Sequence, residues 1–462
     1  MEQTSSKQTV KNKKVLVLGL AKTGLSVVKK LAAEGAIVTV NDKQPLDENK
    51  AAQDLIEHNV RIISGYHPIE LLDEDFAFMV KNPGIPYSNP MVQRAQELNL
   101  PIYTDIELLA WFNQAEVIGI TGSNGKTTTT SLLGEILQGA KELTGKTEVA
   151  GNIGIPALTA SQGLSSQDRL VLELSSFQLM GIETFRPHIA AIIDLYPTHL
   201  DYHGSIENYL AAKWRITKNQ GPDDYLLLNY DQEILWQKAK ESSAQIIPIS
   251  IESELEKGAW YNEKEGTLMW GSETVLKRED LFLPGKHNVQ NALVALAIAK
   301  LLGVSNASIQ TACSQFHGVK HRIQFVDQIK ERRFYNDSKA TNNEASITAL
   351  RSFKEPLVWI AGGLDRGNGV KELLKELGQV HALVAMGETQ DKFIDLANKA
   401  GISQISVAKN IEEATQAAYR LSQPGDVILL SPACASWDQY PNFEVRGQRF
   451  IDAVAELKKQ ES

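Results

Sequence analysis

Cysteine is almost absent: the 462 residues contain two, Cys313 and Cys434. They make no metal-binding spacing and no disulfide framework, which fits a reducing cytoplasm. Long apolar runs are missing as well. No stretch reaches the roughly 18 consecutive apolar residues of a membrane-spanning helix, so no membrane insertion is expected. There is no basic excess either. The net charge is −9 at pH 7, which favours neither nucleic acid nor an anionic membrane, so an anionic substrate must be met by local basic groups. The polar stretch 1–12 lacks an apolar core and reads as a loose tail, neither signal peptide nor anchor. No solenoid-period repeat and no low-complexity linker is visible.

What is present is ordinary globular material, 43% hydrophobic and 22% charged. At about 150 residues per domain the length suggests roughly three domains. The central feature is V-I-G-I-T-G-S-N-G-K-T-T-T-T-S, from Val117 to Ser131. An apolar β-branched run leads into a loop with Gly122 and Gly125. Lys126 and Thr127 follow, then a helical pattern through Leu132, Leu133 and Ile136. Glycines let backbone amides turn toward an anion, and a helix N-terminus adds its positive end. Lys126 suits the β/γ-phosphates, and the Thr127 hydroxyl suits Mg²⁺. The standard G-x-x-x-x-G-K-[ST] spacing is not met, because Ile120 stands five residues before Gly125. The alternative is a glycine turn with a surface lysine.

The first region opens K-K-V-L-V-L-G-L-A-K-T-G-L-S. It predicts a strand at 14–18, a tight turn at 19–24, a helix at 25–34 and a second strand at 37–40 ending near Asp42. Ala21 replaces the glycine that admits a pyrophosphate most closely, so a NAD site is disfavoured. Strands are expected at 76–80, 170–174, 189–195, 225–229, 357–360, 382–385 and 427–430, alternating with helices. That pattern argues for doubly wound, mainly parallel sheets, with ligands beyond the carboxyl ends of the strands.

Several residues then stand out. Glu173, in an apolar strand, reads as a Mg²⁺ ligand or as a half-exposed strand-end acid. His199 and His203 flank Asp201, but no third ligand at a convincing spacing supports zinc. Asn288 and Asn291 share one face of a helix expected over 288–302, and paired amides suit an adenine edge; helix capping by Asn288 is the alternative. His321-Arg322 and the cluster from Asn336 to Asn342 suit ATP phosphates and ribose, or a capped helix start. The turns 362–366 and 431–436 lie where substrate contacts usually gather.

Together these motifs resemble the Mur ligases, the ATP-dependent amide-forming enzymes of peptidoglycan synthesis. The markers are T-G-S-N-G-K-T-T, G-N-I-G at 151–154, E-L-S-S-F-Q-L, the H-x-D at His199, A-A-K at 211–213 and G-K-H-N-x-x-N. H-R-I, N-D-S-K-A-T-N and L-S-P-A-C-A-S-W-D-Q-Y narrow the likeness to the branch that adds D-glutamate. The resemblance implies three α/β domains: a Rossmann-like UDP-binding domain at 1–104, a central P-loop ATPase domain at 105–318 and a Rossmann-like amino-acid-binding domain at 319–462. It implies a cytoplasmic, monomeric ligase. UDP-N-acetylmuramoyl-L-alanine is joined to D-glutamate through an acyl phosphate, with ATP and Mg²⁺, serving cell-wall biogenesis, shape and division.

By motif, Gly122, Ser123, Asn124, Gly125, Lys126, Thr127, Thr128, Asn288, Asn291, Arg322 and Asp337 fall to ATP. Thr127, Glu173, His199 and Lys213, the last as a carbamate, fall to the metal. Lys126, Glu173, His199 and Lys213 carry catalysis. Thr23 and Asp42 fall to UDP, and Asn152 and His199 to the muramoyl-alanine end. Lys43 stands where a threonine is expected. Lys339, Thr341, Arg366, Ser436 and Phe443 fall around D-glutamate, with Arg366 in a place the family gives to lysine. On residues alone Lys213 reads as a solvated helix lysine; as a carbamate serving the metal, its removal is expected to scarcely alter stability without ligands. Rival readings are another ligase of the superfamily such as folylpolyglutamate synthase, a switch-type P-loop NTPase and a NAD dehydrogenase.

Overall fold

The computed structural model describes residues 9–53, 55, 60–367 and 369–461. Residues 1–8 of the expected tail lie outside the described residues. Three sheets organise the chain. The first contains β1 (Lys14–Leu18), β2 (Ile37–Asp42), β3 (Arg61–Ser64), β4 (Phe78–Lys81) and β5 (Ile102–Tyr103), in the order β3-β2-β1-β4-β5. All its pairings are parallel, with Val17 opposite both Val40 and Val80.

The second contains β6 (Glu116–Thr121), β7 (Thr147–Gly151), β8 (Arg169–Glu173), β9 (Ile189–Ile192), β10 (Tyr225–Asn229), β11 (Gln245–Ser250), β12 (Ala259–Asn262), β13 (Thr267–Trp270) and β14 (Glu273–Lys277). Its order is β14-β13-β12-β11-β10-β9-β6-β8-β7. β7 to β11 are parallel to β6, and the β12–β13 pair is antiparallel. The chain runs from β6 outward on one side, then returns to place β9 on the other. The carboxyl end of β6 is therefore a switch point, where such sheets bind ligands.

The third contains β15 (Gln324–Ile329), β16 (Arg332–Asn336), β17 (Leu357–Gly362), β18 (Val380–Met386), β19 (Gln404–Ala408) and β20 (Val427–Leu430), in the order β15-β16-β20-β17-β18-β19. Among the described residues, its β15–β16 hairpin pairs antiparallel and its other pairings are parallel.

The central strands are buried on both faces, which is why they read as continuous apolar runs. Ile118, Leu170, Leu172, Ile360 and Ile428 are fully buried. Cutting Ile118 to alanine is expected to cost about 2–5 kcal/mol. Helix starts are fixed locally. The Asn89 side chain accepts from Met91 N, that of Asn342 from Ala345 N and that of Asn410 from Glu413 N, each satisfying an amide the helix leaves open. The buried Glu107 carboxylate is paid for by donors, accepting the amides of Glu183 (2.7 Å) and Thr184 (3.0 Å).

The chain divides into two compact units, 1–275 with 290–309, and 276–289 with 310–462. Some expected elements shift. The first helix starts at Lys22 instead of 25, and the strand expected at 76–80 is Phe78–Lys81. Both cysteines are buried.

Candidate active site

β6 ends at Thr121, and the helix Lys126–Gly139 begins five residues later. Gly125 turns the chain between them with φ +74°, and a Cβ there would lie 2.1 Å from Asn291 Oδ1. Both conformation and space therefore demand glycine. The loop is pinned by Asp194, just beyond β9. Its carboxylate accepts from Asn124 N (2.8 Å) and Asn124 Nδ2 (3.2 Å), and its carbonyl accepts from Ser123 N (3.1 Å). Burial raises the Asp194 carboxyl above its ordinary range, against the pull of the Asn124 donors. The Ser123 hydroxyl donates to the Tyr196 carbonyl and meets the Tyr209 hydroxyl at 3.1 Å. Thr127 and Thr128 are half-buried in the first helical turn.

Two lysines converge on one carbonyl. Lys126 Nζ donates to Gly122 O at 2.7 Å and to Ser123 O at 2.8 Å. Lys213 Nζ, from the helix Ile206–Trp214, donates to the same Gly122 O at 2.7 Å and lies 4.6 Å from the Tyr209 ring centre. Lys213 is 1% exposed, so the solvated helix lysine is overturned: this face of the helix packs on the phosphate-type loop. Burial first, and the Lys126 charge second, hold the Lys213 ammonium well below its ordinary range, with Asp194 and Glu173 opposing. A neutral Lys213 amine relieves the repulsion between the two.

Beside the loop, β8 ends at Glu173, opposite Ile120 of β6. Glu173 is 2% exposed, so the half-exposed strand-end reading is also overturned. Its Oε1 accepts from Asn152 Nδ2 at 2.9 Å, while Oε2 is buried with no protein partner among the described residues. An orphaned, buried carboxylate oxygen suits a hard, oxygen-seeking cation. Gly151 lets the Asn152 loop close in, since a Cβ there would meet Glu173 O at 2.3 Å. His199 is exposed in the left-handed region (φ +54°), its ring edge-on to Phe177 at 5.2 Å. His203 is hydrogen-bonded to Ser176 Oγ at 3.0 Å. Among the described residues no three His, Cys, Asp or Glu side chains form a metal cage. An ion such as Mg²⁺ takes few protein ligands and keeps waters and phosphate oxygens.

The helix Lys286–Leu301 starts two residues before Asn288. Asn288 donates its amide to Pro284 O at 2.6 Å, so it does not cap the helix. Asn291 Oδ1 accepts from Thr129 Oγ1 at 3.3 Å and packs on Gly125. Asn291 is thus brought to the loop.

Thr23 and Asp42 lie apart from this group, at the carboxyl edge of the first sheet. Asp42 accepts from Leu20 N (2.6 Å) and Gln44 N (2.8 Å), fastening the glycine turn after β1; Lys43 is exposed beside it. Thr23 is half-buried in the first helix, its carbonyl accepting from Ser26 Oγ. Lys81, passed over by the sequence reading, is buried at the end of β4 and donates to Ile85 O at 2.9 Å. Burial lowers its ammonium to about 8, with Asp105 opposing.

The second unit contains the remaining residues. Asp337 is buried, accepting from Ile323 N (3.2 Å) and Ser431 Oγ (2.8 Å). Desolvation raises it to about 7, opposed by those hydrogen bonds and by Arg322 and Arg446. Arg322 is exposed. The capped helix start in this stretch belongs to Asn342, not to Asp337. Lys339 lies over the Phe443 ring at 5.5 Å, and Thr341 is half-buried nearby in the chain. Ser436 is 2% exposed, and its hydroxyl has no protein partner among the described residues. Arg366 lies over the Trp437 ring. The buried Arg446 is a further omission of the sequence reading; it ties Ser338 O (2.9 Å) to Cys434 O (3.0 Å). A charge inside an apolar helical face, as in V-R-G-Q-R-F, was its only signal. Asp194 had a plainer one, an acid closing the strand I-A-A-I-I.

A glycine loop at a switch point, flanked by α/β modules, defines a nucleotide-using enzyme. Comparison with known proteins gives the class. The family model described as Mur ligase MurD-like, N-terminal domain, matches residues 13–104; the Mur ligase middle domain matches 120–299; the Mur ligase glutamate ligase domain matches 321–434. The chain belongs to the Mur ligase family, whose members are ATP-dependent ligases. It is 51% identical to the UDP-N-acetylmuramoylalanine–D-glutamate ligase of Enterococcus hirae, over 97% of each chain. It is 49% identical to the ligase of that name from Listeria monocytogenes serotype 4b, over 96% of this chain and 97% of the other. Among solved structures, Thermotoga maritima MurC superposes with a TM-score of 0.56 at 18% identity, covering 97% of this chain and all of that one. Thermotoga maritima MurF, solved with ADP, gives 0.54 at 18% identity over the whole of both chains. These two support the fold.

Proposed function

We infer that the chain is an ATP-dependent ligase that adds D-glutamate to UDP-N-acetylmuramoyl-L-alanine in peptidoglycan synthesis. The observation that carries this is the 51% identity, end to end, with a ligase of that activity. The alanine carboxylate attacks the γ-phosphate of ATP and becomes an acyl phosphate. The D-glutamate amine attacks that carbonyl, and phosphate leaves. Little covalent chemistry is asked of the protein, whose work is charge neutralisation and positioning.

In this reading the domains run 1–104, 105–318 and 319–462, binding UDP, ATP and the amino acid in turn. The loop Gly122–Thr128 cradles phosphates, and Lys126 swings from its own loop carbonyls to their charge. Asn288, Asn291, Arg322 and Asp337 serve the rest of ATP. Thr127, Glu173 and His199 hold Mg²⁺, which supplies charge neutralisation when bound. Carbamylated Lys213 supplies a further oxygen. Asn152 and His199 serve the muramoyl-alanine end, and Thr23 and Asp42 the uridine nucleotide. Lys339, Thr341, Arg366, Ser436 and Phe443 surround D-glutamate. No described helix is long and apolar enough to cross a membrane. The reading has the enzyme work in the cytoplasm as a monomer. The test is ADP release with UDP-N-acetylmuramoyl-L-alanine and each amino acid in turn. D-glutamate is expected to support it and L-glutamate poorly; equal turnover with meso-diaminopimelate or L-lysine overturns the reading.

A further inference from the structure

Arg366 stands in the turn after β17, and Trp437 in the turn after β20, its neighbour in the sheet. The two turns are stitched together by backbone hydrogen bonds, Gly362 N to Pro432 O and Leu364 N to Ala435 O, both 2.9 Å. Gly363 permits the approach, since a Cβ there would lie 2.3 Å from Ala435 O. Arg366 and Trp437 each sit two residues beyond the second stitch. That register brings the guanidinium over the indole, 4.7 Å from the ring centre.

The chemistry around Arg366 is unusual for a surface arginine. Its neighbour Asp365 is taken by Lys392 Nζ (2.6 Å) and Gly367 N (2.9 Å). Among the described residues no carboxylate and no carbonyl takes a hydrogen bond from Arg366; the ring is its partner. Trp437 is 64% exposed, too open to be holding a core together. Beside it in the chain, the Ser436 hydroxyl is buried with no partner among the described residues. Two stitched turns thus carry a cation whose N–H donors meet no carboxylate or carbonyl among the described residues, and a buried hydroxyl with no partner among them. An indole face orients a planar guanidinium while leaving its N–H edge open, which a carboxylate takes in a fork.

We propose that Trp437 is a positioning residue for the amino-acid substrate: its ring holds Arg366 edge-outward to receive a carboxylate of D-glutamate. This rests on the reading of Arg366 as a D-glutamate contact. The trial uses the full-length enzyme and ADP release, with each of the three substrates varied. Trp437→Ala is expected to raise the KM for D-glutamate about threefold to thirtyfold, the range a ring-held cation gives between open and desolvated settings. The KM values for ATP and UDP-N-acetylmuramoyl-L-alanine stay within about twofold, the scatter of uncoupled sites. Trp437→Phe recovers most of the loss, the melting temperature is unchanged, and in an Arg366→Ala background Trp437→Ala adds nothing. An unchanged KM for D-glutamate, an equal rise in all three, or a full effect persisting without Arg366 overturns the proposal. Wild-type enzyme without D-glutamate-dependent ADP release brings down the functional reading itself, and this inference with it.

Discussion

The two lysines on the Gly122 carbonyl make opposite demands on charge. Lys126 is kept as a cation for phosphate, while Lys213 is buried and pushed toward neutral amine. A neutral amine adds to CO₂ and releases one proton, leaving a −1 carbamate where an ammonium would carry +1, an oxygen donor of the kind Mg²⁺ prefers. Lys213→Ala is therefore expected to be nearly inactive, with partial recovery in acetate; an active variant without added carboxylate sinks the carbamate. The expectation of unchanged stability needs revision, because the lysine is buried and bonded to Gly122 O. Gly122 O keeps its Lys126 donor, so the loss is one net hydrogen bond, about 0.5–1.5 kcal/mol, and a modestly lowered melting temperature should accompany the lost activity. Asp337 gives a pH signature. Its carboxyl rises from 3.8 to about 7 on folding, so across that interval the native state holds a proton the unfolded chain has released. Stability from this group falls as pH rises from about 4 to about 7, by at most about 1.4 kcal/mol per unit. Urea midpoints at about pH 5 and about pH 7.5 should differ less in Asp337→Asn; an unchanged difference assigns the dependence elsewhere.

Among elements, the glycine loop was the most legible, because its signal is local: a β-branched strand, two glycines, Lys-Thr and a helix within fifteen residues. Its support was not. Asp194 and Asn291 are far away in sequence, and only the fold brings them to Asn124 and Gly125. Burial of Lys213 was illegible for the same reason, since Tyr209-Leu210-Ala211-Ala212-Lys213 does not reveal which face meets the loop. The strands β12 to β14 also escaped, although the turn before Thr267, with Gly266 in the left-handed region, is a hairpin signal. The parallel cores were readable because burial on both faces leaves an unbroken apolar run. The Asn291 contact makes Gly125→Ala a test of the element. The added methyl cannot share space with Asn291 Oδ1 at 2.1 Å, and the left-handed φ is lost. Nucleotide binding is expected to fall well over tenfold with a lower melting temperature, read by calorimetry; unaltered ATP affinity would show that the loop does not depend on this packing.

At the scale of the whole molecule, the order of the modules is the argument. Family models for N-terminal, middle and glutamate ligase domains match in sequence along one chain. A signalling NTPase needs only the middle one. The ligase reading predicts that ATP alone gives no sustained ADP release, and that sustained release requires both the uridine nucleotide and D-glutamate, followed by a coupled assay. Sustained hydrolysis with ATP as the sole substrate would favour the switch reading.

The scarcity of thiols has a practical side. Burial pushes Cys313 up to about 12, and burial raises Cys434 as well, against its hydrogen bond with Thr389. Only the thiolate is a competent nucleophile toward a maleimide. The native protein is therefore a silent background for labelling. A dye is expected to attach to one new surface cysteine, such as Lys399→Cys at an exposed helix end, with both native cysteines left in place.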